Sequence, residues 1–242
     1  MVALRGMMLL ALAVTLALCV TGSDAFMSPT NTTQVRRLQE SRPPSDSSLS
    51  QSEYDNLRGL LGNDTALTML YRASRNGVTY GDMLDRVGNK TDLVIVIRNA
   101  QYVFGVYISE GIRLPAFDGS GMMPGWHGYG SDVWLFSLAG HYENATKWSP
   151  LQKIVLVASR RGFVPRRNAR VTVGGLWLGN GNGWSRDDIR ECTHFHGVSW
   201  GVPMPEGYMG ALYHHSVLGG PYYVLGGSWD FTADELEILS VQ

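Results

Sequence analysis

The pattern of apolar and polar positions between residues 67 and 108 predicts a strand, a short helix and a two-stranded hairpin. Leu67–Tyr71 is apolar and strand-like, and Asn76-Gly77 after it is a strong turn signal. The β-branched run Leu93–Ile97 and the apolar segment Tyr102–Ile108 favour strands, with Asn99-Ala100 as the turn between them. This stretch therefore supplies three strands around one short helix.

The short helix is predicted from its first residues and its apolar face. Thr79 can cap the helix, and Asp82 lies three residues later, near the positive end of the helix dipole. Met83, Leu84 and Val87 then share one helical face.

A second helix is predicted nearer the N-terminus, where Ser50 and Glu53 have the spacing of a capping box. Tyr54, Leu57 and Leu61 lie on one face, so we expect this helix to pack on the outside of the sheets. Glycines are placed to end both helices, at Gly62 and Gly88.

The rest of the chain reads as short strands separated by Gly- and Pro-rich connections. The chain has 29 glycines, which favours turns and close approaches over long helices. About 190 residues follow the N-terminal tail, enough for one sizeable core. The periodicity alone predicts a mostly β (α+β) fold. The candidate strands are Val133–Leu138, Lys153–Ala158, Arg170–Val173, Tyr208–Tyr213, Tyr222–Leu225 and Leu236–Val241.

The first 25 residues have the pattern of a signal peptide. Arg5 precedes the apolar run Met7–Val20, and Ser23-Asp24-Ala25 supplies a small-x-small cleavage site. We therefore predict cleavage after Ala25. The apolar run is too short for a comfortable membrane span, and no later segment is long and apolar enough. An uncleaved N-terminal anchor is the alternative.

Residues 26–50 form a Ser/Thr/Pro-rich segment, predicted to be a disordered tail that precedes a domain at residues 51–242. Its alternative is a plastid transit segment, because Ala25-Phe26 with Pro29 resembles the junction used by algae with secondary plastids. The predicted location is the secretory pathway, extracellular or in an endomembrane lumen, with the secondary plastid as the alternative. If the chain is secreted, the sequons predict glycans at Asn31, Asn63, Asn89 and Asn144.

The net charge argues against one class of function, and the cysteine content excludes an internal disulfide in the mature chain. The formal net charge of -1 argues against an electrostatic nucleic-acid binder. The local basic cluster Arg160-Arg161, Arg166-Arg167 and Arg170 is a solvated loop or a contact for an acidic partner. Cys19 leaves with the signal, so Cys192 is the single cysteine of the mature chain and no internal disulfide can form.

The spacing Cys192-x-His194-x-His196 is the strongest chemical pattern. In a strand, alternate residues point to one face, so these three side chains could converge. Thiolate and imidazole suit zinc or copper, and His214-His215 could add a fourth ligand. A polar strand face explains the same residues without a metal.

Signals for catalysis are otherwise weak. The chain has no G-x-S-x-G elbow, P-loop or dinucleotide fingerprint. Ser120 and Ser228 lie among glycines and are better explained by turns. Glu235 and Glu237 share one face of a predicted strand, which solvent exposure explains, and Asp187-Asp188 is better explained by a turn than by calcium binding. We predict no catalytic residue and no cofactor.

The tryptophans divide by their context. Trp134 and Trp177 lie in apolar strand runs and are predicted to fill the core. Trp126 and Trp184 lie in segments that combine glycine with aromatics and few charges, a composition that suits an adaptable contact surface. We predict that these two bind a partner. Similar loop-like contexts hold Trp148 and Trp200.

Several motifs in order resemble those of the TLDc domain, the module of oxidation-resistance proteins and of some Rab-GAP relatives. The opening strand and turn match at Leu70-Tyr71-Arg72, Ser74-Arg75 and Gly77, and the hairpin at Tyr102-x-Phe104-Gly105-x-Tyr107. Val106 departs from the hairpin motif by replacing its second glycine. The resemblance extends over roughly residues 67–241. Its later pieces are Trp134-Leu135-Phe136-Ser137-Leu138, Val173-Gly174-Gly175-Leu176, and Leu225–Thr232 running into Glu235–Ile238.

The resemblance implies a two-sheet antiparallel β-sandwich with a few flanking helices. It also implies a non-catalytic protein-interaction or regulatory module, linked to protection against oxidative stress. For cytosolic relatives it implies regulatory binding to the V-ATPase, a cytosolic contact that the signal peptide puts in doubt for this chain. The alternatives are a carbohydrate-binding sandwich that uses loop tryptophans and a metal-dependent enzyme built on Cys192, His194 and His196. Within the strand pattern, Gly105 and Gly227 predict close backbone approaches.

Overall fold

Apolar strands form two six-stranded antiparallel sheets and one three-stranded sheet in a computed structural model of the chain. The structure describes residues 42–116, 125–160, 169–181, 187–194, 196–197, 204–215 and 219–242. All of them belong to one compact unit. The mostly β fold and the two-sheet sandwich with few helices are confirmed.

The three sheets are named here from the order of their strands in space. Sheet I contains β1 (Leu67–Arg72), β15 (Glu235–Val241), β2 (Leu93–Asn99), β3 (Tyr102–Ile108), β5 (Val133–Ala139) and β6 (Thr146–Trp148). Sheet II contains β14 (Asp230–Thr232), β10 (Glu191–His194), β9 (Leu176–Leu178), β8 (Val171–Val173), β7 (Ile154–Ala158) and β4 (Trp126–Gly130). Sheet III contains β11 (His196–Gly197), β13 (Gly219–Tyr223) and β12 (Leu212–His215).

Both predicted capping boxes are present. Ser50 caps α1 (Gln51–Leu61), where its hydroxyl accepts the N–H of Glu53 and the Glu53 carboxylate accepts the N–H of Ser50. Thr79 and Asp82 cap α3 (Tyr80–Val87) in the same way. The two helices end at the predicted glycines, Gly62 and Gly88.

One element was not predicted. The turn expected at Asn76-Gly77 is the end of a one-turn helix, α2 (Ala73–Asn76). The Asn76 side-chain oxygen accepts the backbone N–H of Arg72 at 2.8 Å, which closes the turn. Asn is suited to this because its short side chain can bond to nearby backbone.

Two apolar cores pack against the sheets. The larger core lies between sheets I and II, where inward residues of β2 such as Ile95 and Ile97 meet those of β7 such as Val155 and Val157. The smaller core lies on the outer face of sheet I, beneath Tyr54 and Leu57 of α1. Strand β2 is buried on both faces, which explains why its sequence is a continuous apolar run rather than an alternating one.

The late strands begin and end at other residues than predicted. Instead of Tyr208–Tyr213, the strand is Leu212–His215, because the Tyr208 hydroxyl turns inward and donates to the carbonyls of Ala211 and Val224. The strand expected over Tyr222–Leu225 is Gly219–Tyr223.

The tryptophan predictions were partly wrong. Trp134 and Trp177, expected in the core, are half-buried. Trp134 points to the outer face of sheet I, where it packs against the smaller core. Trp148, expected in a loop-like context, is only 9% exposed at the end of β6. Trp126, also expected in a loop, begins strand β4 and is half-buried. Trp184 and Trp200 lie outside the described residues.

Candidate functional site

The candidate metal ligands are divided between two sheets. Cys192 and His194 point to the buried face of β10, 3% and 0% exposed. His196 lies in β11 of sheet III, where it pairs with Tyr223. Within the described residues, no group of three or more His, Cys, Asp or Glu side chains is placed to hold a metal ion.

Cys192 is held as a buried thiol. Its Sγ donates to the carbonyl of Ile189 at 3.7 Å, and burial raises its pKa above the usual value. The thiolate is the form that attacks electrophiles and binds metals. Since this thiol stays protonated near neutral pH, its chemistry is that of a small apolar side chain.

Two buried histidines, His141 and His194, form hydrogen bonds with the backbone of one residue, Leu225. The His194 Nδ1 accepts the N–H of Leu225 at 3.1 Å, and the His141 Nε2 lies 2.8 Å from the carbonyl of the same residue. The other ring nitrogen of His141, Nδ1, lies 2.8 Å from the Ser137 hydroxyl. These bonds assign a protonated Nε2 to both neutral rings, because a carbonyl can only accept and an N–H can only donate. Both rings therefore serve to fix the segment before β14.

Burial keeps both rings neutral. It lowers the pKa of His141 to about 4, and it lowers the pKa of His194 well below its ordinary value, helped by the nearby His196 and His141. In an unfolded chain both would titrate near 6.5. The unfolded state therefore takes up these protons first as the pH falls.

We expect acidification to destabilise the fold through these histidines. Stability falls wherever the unfolded state binds more protons, here as the pH drops below 6.5 towards the folded-state pKa of about 4. His141 alone should lower the free energy of unfolding by about 2 kcal/mol between pH 7 and pH 5. Denaturant unfolding across this range measures the loss.

His141→Asn is the matched variant for this prediction. It should be less stable than the natural protein at pH 7, because the bond to Leu225 or Ser137 is lost, but its stability should depend less on pH. An equally steep pH dependence in His141→Asn would contradict the assignment of the effect to this ring.

The carboxylates of Glu235 and Glu237 were expected to be exposed, and this is wrong. They are 6% and 1% exposed, because α2 and the segment before α1 lie over β15. Glu235 accepts from Arg72 Nε at 2.8 Å and from the Ser74 backbone N–H. Glu237 accepts from the Ser47 hydroxyl at 2.7 Å. The pair holds the N-terminal segment onto sheet I.

The other acidic candidates form ion pairs. Asp187 pairs with Arg170 at 3.1 Å, and Asp188 pairs with Arg190 at 2.8 Å. The predicted calcium alternative has no support in these contacts, since each carboxylate already faces a guanidinium. In the basic cluster, Arg160 pairs with Asp85, and residues 161–168 lie outside the described part.

A cleft of about 230 Å³ opens beside β10 and β14. Its wall carries a hydrogen-bond chain in which the Asn180 amide donates to the Thr193 hydroxyl, which in turn donates to Asp230. Thr193 itself is only 3% exposed, so its hydroxyl is buried in this wall. The lining residues are Asn180, Gly181, Glu191, Cys192, Asp230, Phe231 and Thr232.

An apolar surface lies on the edge of sheet III. Met209, Leu212 and Tyr213 are 65%, 51% and 38% exposed, although they are large apolar side chains. Leu212 and Tyr213 belong to β12, an edge strand of this sheet. We call these three residues the β12 surface. Leu212 and Tyr213 are consecutive in the strand and so point to its two faces, while Met209 lies three residues before β12. Exposed large apolar side chains are candidates for contact sites.

Aromatic rings pack beside Tyr213 of the β12 surface, and one of them, Tyr222, is only 2% exposed. The Tyr213 ring lies 5.2 Å from Trp229, and Tyr222 lies 5.4 Å from Trp229 at 83°. Tyr213 and Tyr222 are directly opposite each other in the pairing of β12 with β13. Rigid aromatic side chains provide contact area at a small loss of conformational entropy.

The comparison with protein families identifies the domain. The model of the TLDc domain matches residues 45–204 of the chain. The chain belongs to the TLDc domain family. No curated protein matches the chain.

The matched range locates the candidate residues within the TLDc domain. It contains the capped helices and the strands from β1 to β11, with Cys192, His194 and His196. The β12 surface follows residue 204, as does β15. Strand β15 nevertheless pairs between β1 and β2, so the C-terminal part belongs to the same folded unit.

The sequence indicated the TLDc motifs but not the exposure of the residues in the β12 surface. The sequence does not distinguish these residues from buried apolar residues. Their exposure depends on their position at the edge strand β12 or just before it, which only the three-dimensional structure gives. Trp126 as a binding residue stays a prediction. No helix in the described ranges combines the length and apolar character needed to cross a bilayer.

Proposed function

We propose that this TLDc-domain protein is a non-catalytic protein-interaction or regulatory module that contributes to protection against oxidative stress. The observation that carries the proposal is the β12 surface, three large apolar side chains exposed in the edge strand β12 of sheet III and just before it. Membership of the TLDc family supports a role in protein interaction.

The absence of catalysis is part of the proposal. It is supported by the buried, protonated Cys192 and by the two neutral histidines that are committed to the backbone of Leu225. An enzyme would need a nucleophile or base that can reach a substrate. Two of the three side chains that looked most reactive in the sequence, Cys192 and His194, face the core instead.

We further propose that the domain acts in the secretory lumen or outside the cell, with a secondary plastid as the alternative. The predicted signal peptide supports export. Asn63, Asn89 and Asn144 are exposed, so glycans at these sequons can be accommodated. Loss of mass on glycosidase treatment of the protein from a eukaryotic host is the corresponding measurement. An export route separates this domain from the cytosolic face of a V-ATPase, and the proposal names no partner protein.

Capture of a partner tests the function. The mature protein is immobilised and exposed to extract from its own compartment, beside the variant Met209→Ser/Leu212→Ser/Tyr213→Ser. We expect the variant to lose at least about tenfold in affinity for the captured protein, because anchoring apolar side chains at interfaces are each worth 1 kcal/mol or more. Survival under peroxide of cells that make each form should follow the same order.

Two further variants locate the contact. Leu151→Ser is the matched control, since Leu151 is as exposed as Met209 but lies before β7. It should bind like the natural protein. Trp126→Ala tests the site predicted from the sequence. Equal capture by the triple variant, or binding of sugars on a glycan array in place of a protein, would overturn the proposal.

A further inference from the structure

Two aromatic rings stack on the outer face of sheet I, near the end of α1. Tyr107 of β3 and Trp134 of β5 are directly opposite each other in the strand pairing. Their ring centroids are 5.2 Å apart with 20° between the planes. Both side chains are half-buried, so small molecules in solution can reach them.

The Tyr107 phenol is paired with a proton acceptor. Its hydroxyl donates to Asp92 Oδ1 at 2.6 Å. Asp92 has a φ of 52°, which is uncommon outside glycine. Its backbone is held on both sides, since its N–H donates to Ser109 and its carbonyl accepts from Val241. Backbone conformations of this kind persist where the surroundings enforce them, and they cluster at functional sites.

Four other tyrosines of the described residues donate to a weaker acceptor. A backbone carbonyl accepts a hydrogen bond but is a much weaker base than a carboxylate, so it is a poorer acceptor for a transferred proton. The hydroxyls that donate to backbone carbonyls are those of Tyr71, Tyr80, Tyr129 and Tyr208.

A cation distinguishes the two stacked rings. Lys147 Nζ lies 5.0 Å from the centroid of the Trp134 ring. An ammonium over the ring stabilises the neutral indole and opposes a second positive charge on it. Loss of an electron would make Trp134 cationic beside this charge. Tyr107 can lose an electron and a proton together and stay neutral.

We propose that Tyr107 is a one-electron oxidation site for small radical oxidants of the peroxyl class. One electron passes from the phenol to the peroxyl radical, which becomes a hydroperoxide anion. The anion takes a proton from water, and the hydroxide that is left is neutralised by the proton that Asp92 releases to solvent after the transfer. The phenol proton moves along the hydrogen bond to Asp92, leaving a neutral tyrosyl radical. When the oxidant reaches Trp134 first, the indole loses an electron. Tyr107 then transfers an electron to the oxidised indole across the stacked rings.

Spectroscopy on the whole mature protein tests this site. A photogenerated ruthenium(III) trisbipyridine complex serves as the one-electron oxidant, and electron paramagnetic resonance identifies the radical. We expect a tyrosyl signal that disappears in Tyr107→Phe. Tyr142→Phe is the matched control and should keep the signal, because the Tyr142 hydroxyl has no hydrogen-bond partner among the described residues.

Asp92→Asn tests the proton transfer separately. Asparagine tolerates a positive φ as aspartate does, so the backbone should be preserved. The radical should form about 100-fold more slowly, because loss of a positioned base typically costs that much or more. Lys147→Met should raise the share of radical found on Trp134.

Three results would overturn the proposal. They are an unchanged tyrosyl signal in Tyr107→Phe, an unchanged rate in Asp92→Asn, and a signal lost equally in Tyr142→Phe. The site does not depend on the proposed contact surface, so the Met209→Ser/Leu212→Ser/Tyr213→Ser variant should form the radical normally. Failure of one proposal is thereby distinguishable from failure of the other.

Discussion

Replacing Gly105 by alanine should lower the free energy of unfolding by about 3 kcal/mol or more, beyond the usual range for a single methyl group. Gly105 lies in β3, between β2 and β5. An added Cβ would lie 1.9 Å from the carbonyl oxygen of Ile95 and 2.7 Å from the Phe136 ring. A backbone carbonyl inside a central strand cannot move aside without breaking the pairing of the sheet. Urea unfolding of the variant measures the loss.

The matched control is another strand glycine, Gly130→Ala. An added Cβ at Gly130 meets nothing within 4 Å, and this residue has no positive φ. Its stability should stay within about 0.5 kcal/mol of the natural protein. If Gly105→Ala were as mild as this control, the close approach of β2 and β3 at Gly105 would be wrong.

Replacing Arg72 by alanine should lower the free energy of unfolding by about 3–5 kcal/mol, the range for removing one partner of a buried ion pair. Its Nε lies 2.8 Å from Glu235 and 3.5 Å from Glu237. Arg72→Ala would leave these two carboxylates buried without their cation. Chemical denaturation at pH 7 should therefore show a large loss of stability. The segment before α1 should also be released, because Arg72 donates a hydrogen bond to the carbonyl of Asp46 in that segment.

The effect of Arg72→Ala should shrink in acid. Hydrogen bonds from Ser74 and Arg72 outweigh burial and lower the pKa of Glu235 below its ordinary value. A carboxylate with a lowered pKa contributes stability above its unfolded pKa and loses it as the pH falls through the folded one. The difference between the two proteins should thus be smaller near pH 4 than at pH 7.

Arg75→Ala is the control for this loss. Arg75 pairs with Asp46 at 3.6 Å, but its side chain is 58% exposed. Exposed ion pairs contribute little, so the change should be within about 0.5 kcal/mol. If Arg72→Ala and Arg75→Ala lost equal stability, the buried ion pair of Arg72 with Glu235 would not be what fixes the segment before α1 to sheet I.

Local features of the chain could be predicted from the sequence. The capping pairs Ser50 with Glu53 and Thr79 with Asp82 act within one turn, so their spacing is sufficient. The hairpin from Leu93–Asn99 to Tyr102–Ile108 is also local, since only two residues, Ala100 and Gln101, join its strands. Membership of the TLDc family followed from motifs of this local kind.

Features that depend on distant partners could not be predicted. The carboxylate of Glu235 meets Arg72, 163 residues earlier, so its strand pattern alone suggested exposure. His194 was a candidate metal ligand by spacing, and the spacing gave no sign that its Nδ1 accepts the backbone N–H of Leu225, 31 residues later. Glycine 227 was expected within a strand. It lies instead in a turn with a φ of 80°, and an added Cβ there would lie 2.7 Å from the Tyr102 ring.

Hydrogen–deuterium exchange tests the central claim, that the protein works by docking a partner on the β12 surface. The mature protein is compared alone and in complex with the protein it captures. We expect new protection of the backbone amides at residues 208–215 and 219–223, with little change in β4 around Trp126. Protection confined to β4 or to the cleft beside β10, with residues 208–215 unchanged, would contradict it.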